Sequence, residues 1–234
     1  MLGIARIRQT IPLRRYAMLV AVSLFSGLSL AAEATKPAPG PAASPPAGQY
    51  KVDPSHASLE LRVNHMGFST FTTRFNRFEV ALTFDPDNIP ASKVSTTVDV
   101  SSIELDSWPK QCVDILMGPQ LLNAEKFPHI EFKSERIKMI GPKTMQIDGT
   151  LTVLGVSRPM KLESTFNGGY AGIANMDPNA RIGFSAHGTV KRSDFGMSFG
   201  IPAPGTMVGV GDSIDIAIEA EFIGPPLVSS KPHG

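Results

Sequence analysis

The chain has 234 residues, 42% of them hydrophobic, with 22 basic and 21 acidic side chains, a formal charge of +1 and a single cysteine. That apolar share suffices for a core in one domain and excludes a disordered chain, and the absence of any Lys/Arg block removes the electrostatic footprint that nucleic acid requires. With Cys112 alone no intrachain disulfide can form, so packing must supply the stability, and Cys112 reads as a small buried hydrophobe or an idle thiol.

In chain order, Arg6, Arg8, Arg14 and Arg15 precede an apolar run from Ala17 to Ala32. A basic head before a short apolar run is the pattern of a secretory signal peptide, assigned to residues 1–34. Ser29 with Ala31, or Ala32 with Ala34, gives the small residues of a cleavage site, so the mature chain is expected to start at Ala32 or Thr35. The run is short of the roughly 20 residues that span a bilayer, which argues against a retained anchor. Arg14-Arg15 leaves the twin-arginine route open beside general export. No cysteine stands near the cleavage site, which argues against a lipoprotein. Without residues 1–34 the chain carries 18 basic and 20 acidic side chains. Residues 35–48, TKPAPGPAASPPAG, have almost nothing to bury and read as an extended tether. The folded domain is expected over 49–223, before a Pro-rich tail at 224–234.

From Leu59 the sequence alternates with a period of two. Leu59, Leu61 and Val63 are followed by Phe78, Val80, Leu82 and Phe84, then Val94, Val98 and Val100, then Ile130 and Phe132. Met145 to Phe166 reads as a hairpin with Met145, Ile147, Leu151, Val153, Met160, Leu162 and Phe166 on one face and a connector over Leu154–Pro159. Ile182, Phe184, Ala186 and Val190, then Ile214 to Phe222, complete eight or nine strands. Asp85-Pro86-Asp87-Asn88, Gly141-Pro142, Asn167-Gly168-Gly169 and Asp177-Pro178-Asn179 supply the turns. One helix is expected from Pro109 to Asn123, where the two-residue period fails, with a break at Gly118-Pro119.

Strands with one apolar side close either as a sandwich or as a barrel, and spacing does not decide between them. The motifs do more. Tyr50-Lys51-Val52-Asp53-Pro54-Ser55-His56, Val63-Asn64-His65-Met66-Gly67, Arg74-Phe75 and Phe127-Pro128-His129-Ile130-Glu131-Phe132-Lys133-Ser134 are followed by Gly149 to Pro159, Arg192-Ser193-Asp194-Phe195-Gly196-Met197 and Val210-Gly211-Asp212. In this order and spacing, from Tyr50 to about Phe222, the chain resembles the YceI-like, polyisoprenoid-binding family. The resemblance implies an all-β, extended lipocalin-like antiparallel barrel of about eight strands with one short helical insertion. It also implies a periplasmic location and one bound long-chain lipid, such as an isoprenoid quinone or polyprenyl lipid, with fatty acid or fatty-acid amide as the alternative. No other cofactor and no metal is expected. Transient contact with a membrane or a membrane quinone-using protein would follow, as monomer or dimer.

A small barrel has room for side chains or one slim ligand. Phe68, Phe71, Phe75, Phe78, Phe84, Trp108, Phe195, Met197 and Phe199 are the candidates to line it, against the alternative of ordinary core packing. His65 continues the parity of Leu61 and Val63, Arg74 that of Phe78 and Val80, and Arg192 that of Phe184 and Val190, which makes them the headgroup candidates. The competing structural reading pairs Arg192 with Asp194 and turns Arg74 outward at a bulge.

No catalytic set emerges. Gly183-Phe184-Ser185-Ala186-His187 stops short of a nucleophile elbow and lies on a strand. Asp53, Ser55 and His56 crowd into one loop and fit an Asx turn better than a triad. The five histidines lack metal-ligand spacing. Gly209-Val210-Gly211 lacks the third glycine of a dinucleotide loop. Three Tyr and one Trp are too few for the aromatic girdles of an outer-membrane barrel.

Overall fold

The computed structural model describes residues 44–227. The expected signal peptide, most of the tether and residues 228–234 of the tail lie outside them. Nine strands and one α-helix follow in chain order: β1 (Gly48–His65), β2 (Ser69–Phe75), β3 (Phe78–Phe84), β4 (Lys93–Asp99), α1 (Lys110–Met117), β5 (His129–Met139), β6 (Thr144–Val153), β7 (Val156–Tyr170), β8 (Asn179–Lys191) and β9 (Val210–Pro226). All pairings are antiparallel, and a β1–β9 ladder closes a ring of β1 and β3 to β9. Closure leaves the ring without a free edge. The ninth strand, β2, flanks the C-terminal half of β1 outside the ring, pairing Leu59 with Phe75 through His65 with Ser69. β3 pairs with the first four residues of β1.

The β6–β7 hairpin shows how local sequence makes the wall. Burial alternates strictly along β6, with Met145, Ile147, Gly149, Leu151 and Val153 inside. Leu154 and Gly155 have φ of 53° and 72°, a two-residue turn with both central residues left-handed, whose twist matches that of the strands. The connector expected over Leu154–Pro159 is therefore shorter, and Pro159 stands within β7 opposite Thr150. The β7–β8 ladder begins only at Glu163, so Pro159 sits where β6 is the sole strand paired with β7 among the described residues.

The helix expected to reach Asn123 ends at Met117. Pro119 disfavours helical geometry at the residue before it, and Gly118 is extended, with φ −80° and ψ 179°. Cys112 on α1 is exposed rather than buried. At the domain edges, the last part of the expected tether is packed: Pro45 is buried and the Tyr50 hydroxyl donates to the Pro46 carbonyl at 2.7 Å. β9 runs past the expected boundary at Ile223, and Leu227 N–H donates to the Pro178 carbonyl.

One large apolar cluster packs Val100, Leu122, Val153, Met160, Phe195 and Met197 at the end that carries the β6–β7 turn and continues along the barrel to Ile137, Met145 and Ile147. A second, around Tyr50, Leu82, Phe84, Ile182 and Phe222, lies towards the opposite end.

Candidate functional site: an apolar lumen

Between these clusters the barrel encloses a cavity of about 110 Å³. All eight ring strands contribute to its wall, from Leu59 on β1 and Phe78, Val80, Leu82 and Phe84 on β3 round to Ile218, Ala220 and Phe222 on β9. The two-residue period brings these side chains inward. On β5 a register shift between Ser134 and Arg136 reverses the parity, which lets both Phe132 and Ile137 face the lumen. Phe84, Phe166, Phe184 and Phe222 form a connected aromatic group, with Phe84 and Phe166 stacked at 5.9 Å and 25° and Phe184 edge-on to Phe222 at 6.0 Å. Among the described residues no charged side chain lines the cavity, and the polar lining residues are Ser92, Thr96 and Ser164.

Of the residues singled out from sequence, Phe78 and Phe84 line this cavity. Phe75, Phe195 and Met197 are buried in packed clusters beside it. Phe71 packs on Trp108 outside the ring, with centroids 4.9 Å apart. Phe68 and Phe199 are corrections: they are 78% and 49% exposed. Both lie in connections, the β1–β2 turn and the β8–β9 segment, where strand parity has no meaning.

The three headgroup candidates are placed elsewhere. Arg74 is exposed and ion-paired with Glu104. The break at Asn76-Arg77 resets the alternation, so parity counted back from Phe78 fails on β2, where Phe75 is buried and Arg74 is outside. His65 is exposed beyond a register shift between Val63 and His65. Arg192 is only 5% exposed, and four of its five guanidinium N–H groups are engaged. It donates to the carbonyls of Gly211 at 2.9 Å and of Met197, Phe199 and Val210 at 2.8 Å, and so ties down the β8–β9 connection. Burial lowers its pKa from the ordinary value. The Arg192–Asp194 pair of the competing structural reading does not form among these contacts; Asp194 offers its carbonyl to Arg158.

Ser164 was missed. It shares the parity of Met160, Leu162 and Phe166, a single hydroxyl on the apolar face of β7, and that was the available signal.

At the end opposite the β6–β7 turn, Asp53 and His56 belong to a polar group. Ser55 N–H donates to Asp53 Oδ1 at 3.0 Å, the Asx turn expected there, and His56 Nδ1 lies 3.1 Å from Asp53 Oδ2. Arg181 joins Asp53 to Asp177, which also accepts from the Tyr170 hydroxyl. The Arg181 guanidinium first, then His56 and the Ser55 amide, hold the Asp53 pKa at about 2. Among the described residues no His, Cys, Asp and Glu side chains gather as a metal site.

A closed antiparallel ring around an apolar lumen is the architecture of a lipocalin-like barrel. The model of the YceI-like domain matches residues 50–222, and this chain belongs to that family. A UPF0312 protein of Pectobacterium carotovorum is 35% identical over 156 residues, 65% of this chain and 77% of its own. One from Yersinia pestis is 35% identical over 161 residues, 67% and 80% of the respective chains. Among solved structures, BcnA of Burkholderia cenocepacia superposes with TM-score 0.61 at 21% identity, covering 73% of this chain and 98% of that one. The YCEI protein of Campylobacter jejuni gives 0.56 at 26%, covering 68% and 88%. A polyisoprenoid binding domain from Saccharophagus degradans gives 0.55 at 10%, covering 75% and 98%, a likeness of fold.

Proposed function

We propose that this protein is a non-catalytic carrier or store for one long-chain isoprenoid lipid, a quinone or polyprenyl lipid, held in the barrel lumen. The observation that carries this is the lumen wall: eight strands converge on a cavity with three hydroxyls and no charge. Such a wall has little with which to orient a sugar or peptide, whereas each methylene transferred from water gains about 0.8 kcal/mol. The name of the Saccharophagus degradans domain supports the isoprenoid reading, and membership of the YceI-like family agrees with it. A cavity of about 110 Å³ is smaller than the roughly 150 Å³ void that accepts benzene. A long chain therefore enters only as lumen side chains such as Met145 and Phe184 change rotamer, and the loaded barrel is wider.

The basic head and apolar run of residues 1–34 support export to the periplasm, where loading and unloading would involve brief contact with a membrane or a membrane quinone-using protein. Intact mass of the osmotic-shock fraction tests this, with retention of residues 1–31 as the contrary result. The cargo is tested by organic extraction of protein purified from its native source, followed by mass spectrometry. A stoichiometric isoprenoid supports the reading, a fatty-acid amide redirects it, and empty extracts with no uptake of added quinone or polyprenyl lipid overturn it.

A further inference from the structure

We infer that the lumen contains a headgroup subsite at Ser164 and Thr96, selective for an uncharged oxygen-bearing group such as a carbonyl or hydroxyl and closed to phosphate and carboxylate. The inference rests on the carrier reading and specifies which polar end the lumen takes. Ser164 is 3% exposed and stands on β7 between Leu162 and Phe166, opposite Met145 on β6 and Ala186 on β8. Its Oγ has no hydrogen-bond partner among the described residues, yet no fully buried side-chain nitrogen or oxygen there lacks one. A partnerless oxygen on a buried residue must then reach open space, and the space Ser164 borders is the lumen. Thr96, on β4, borders the same cavity, and no side-chain hydrogen bond engages it among the described residues. Ser92 Oγ, the third hydroxyl, already accepts from the Asp85 amide.

A serine among Leu, Met and Phe costs stability unless something meets its hydroxyl, since a buried polar group wants a partner. A hydroxyl both donates and accepts, so it matches a quinone carbonyl as well as a prenyl alcohol. It cannot neutralise an anion. Neither Arg192, which donates to four carbonyls at the β8–β9 connection, nor Arg181, which is paired with two carboxylates, lines the lumen. A phosphate in this lumen would be a buried charge without a counter-ion. Ala186, the small cross-strand partner of Ser164, borders the same void.

The test uses the exported chain, freed of bound lipid, and three probes of one chain length: farnesol, farnesyl phosphate and the hydrocarbon farnesene. Wild type, Ser164→Ala and Thr96→Val are compared, the second variant being nearly isosteric in case the first fails to fold. Farnesol should bind about tenfold more tightly than farnesene in the wild type, with farnesyl phosphate no better than farnesene. Each substitution should bring the farnesol-to-farnesene ratio towards one. Equal binding of farnesol and farnesene by the wild type, or a ratio unmoved by both substitutions, overturns the subsite and leaves the carrier standing. Tighter binding of farnesyl phosphate than of farnesol overturns the neutral selectivity. Failure of all three probes to bind overturns the carrier reading together with the subsite.

Discussion

Arg181 on β8 reaches Asp53 on β1 across the intervening β9, with Nη1 2.5 Å from Oδ2 although the two are 128 positions apart in sequence. Asp53 opens the segment Asp53–His56, where the β1–β9 register shifts and the ladder is interrupted. The same guanidinium donates through Nε to Asp177 at 2.7 Å. One arginine thus fastens an unpaired stretch of β1 and the β7–β8 connection to β8, near where the ring closes.

Acid should loosen this joint. The Asp53 pKa is lowered from 3.8 to about 2 in the folded protein, so its contribution is present above the unfolded value and lost as pH falls from about 4 to 2. Asp177 is also lowered, by Arg181 first, and adds to the same window. Asp53→Asn should cost on the order of 1–2 kcal/mol at neutral pH and flatten the acid limb of the melting curve. A variant with the wild-type dependence of Tm between pH 2 and 4 would contradict the assignment.

Arg192 gives a prediction of opposite character, since its role is to satisfy four carbonyls rather than an acid. Arg192→Ala should cost about 3–5 kcal/mol by leaving those carbonyls unpaired. Arg192→Lys should recover part of this, because an ammonium cannot span the same fork. Denaturant unfolding measures both. A loss confined to ligand affinity, with stability intact, would restore Arg192 as a headgroup contact.

Much of the barrel could be read from the sequence, for a physical reason. Strand alternation is imposed by burial on one face, so β3, β6, β8 and β9 announced themselves in Phe78 to Phe84, Met145 to Val153, Ile182 to Val190 and Ile214 to Phe222. Ring closure was supplied by the family motifs, because spacing treats a sandwich and a barrel alike. The site was less legible. Parity holds only between breaks, and the breaks at Asn76-Arg77 and near His65 put Arg74 and His65 outside. Large aromatics drew attention to Phe68 and Phe199, while Ser164 and Ala186, which leave the space, carry little weight in a search for bulky apolar groups.

Two glycines test the backbone reading of the hairpin. A Cβ on Gly149 would come within 2.4 Å of the Lys133 carbonyl oxygen and 2.6 Å of Phe132 Cζ. Gly149→Ala should therefore spread β5 from β6, lower stability by about 2 kcal/mol and move Phe132 within the lumen. Gly155, at φ +72°, should cost about 1–2 kcal/mol as Ala through its left-handed backbone. Wild-type melting temperatures for both would refute the turn and the close strand contact.

The lumen itself is tested by changing its volume from opposite sides. Ala186 and Phe78 both border the cavity, on β8 and β3. Ala186→Leu adds three carbons to a void of about 110 Å³, so the larger side chain has somewhere to go and the melting temperature should hold within a few degrees. Bound lipid should fall well below one equivalent. Phe78→Trp enlarges an already large wall residue and should shorten the longest chain retained while the fold persists. Each readout is the mass spectrum of extracted lipid alongside a melting curve, which separates a blocked lumen from an unfolded barrel. Full occupancy by the same chain lengths in both folded variants would mean that the ligand lies outside this cavity, because two substitutions on different strands cannot both leave a shared void unchanged.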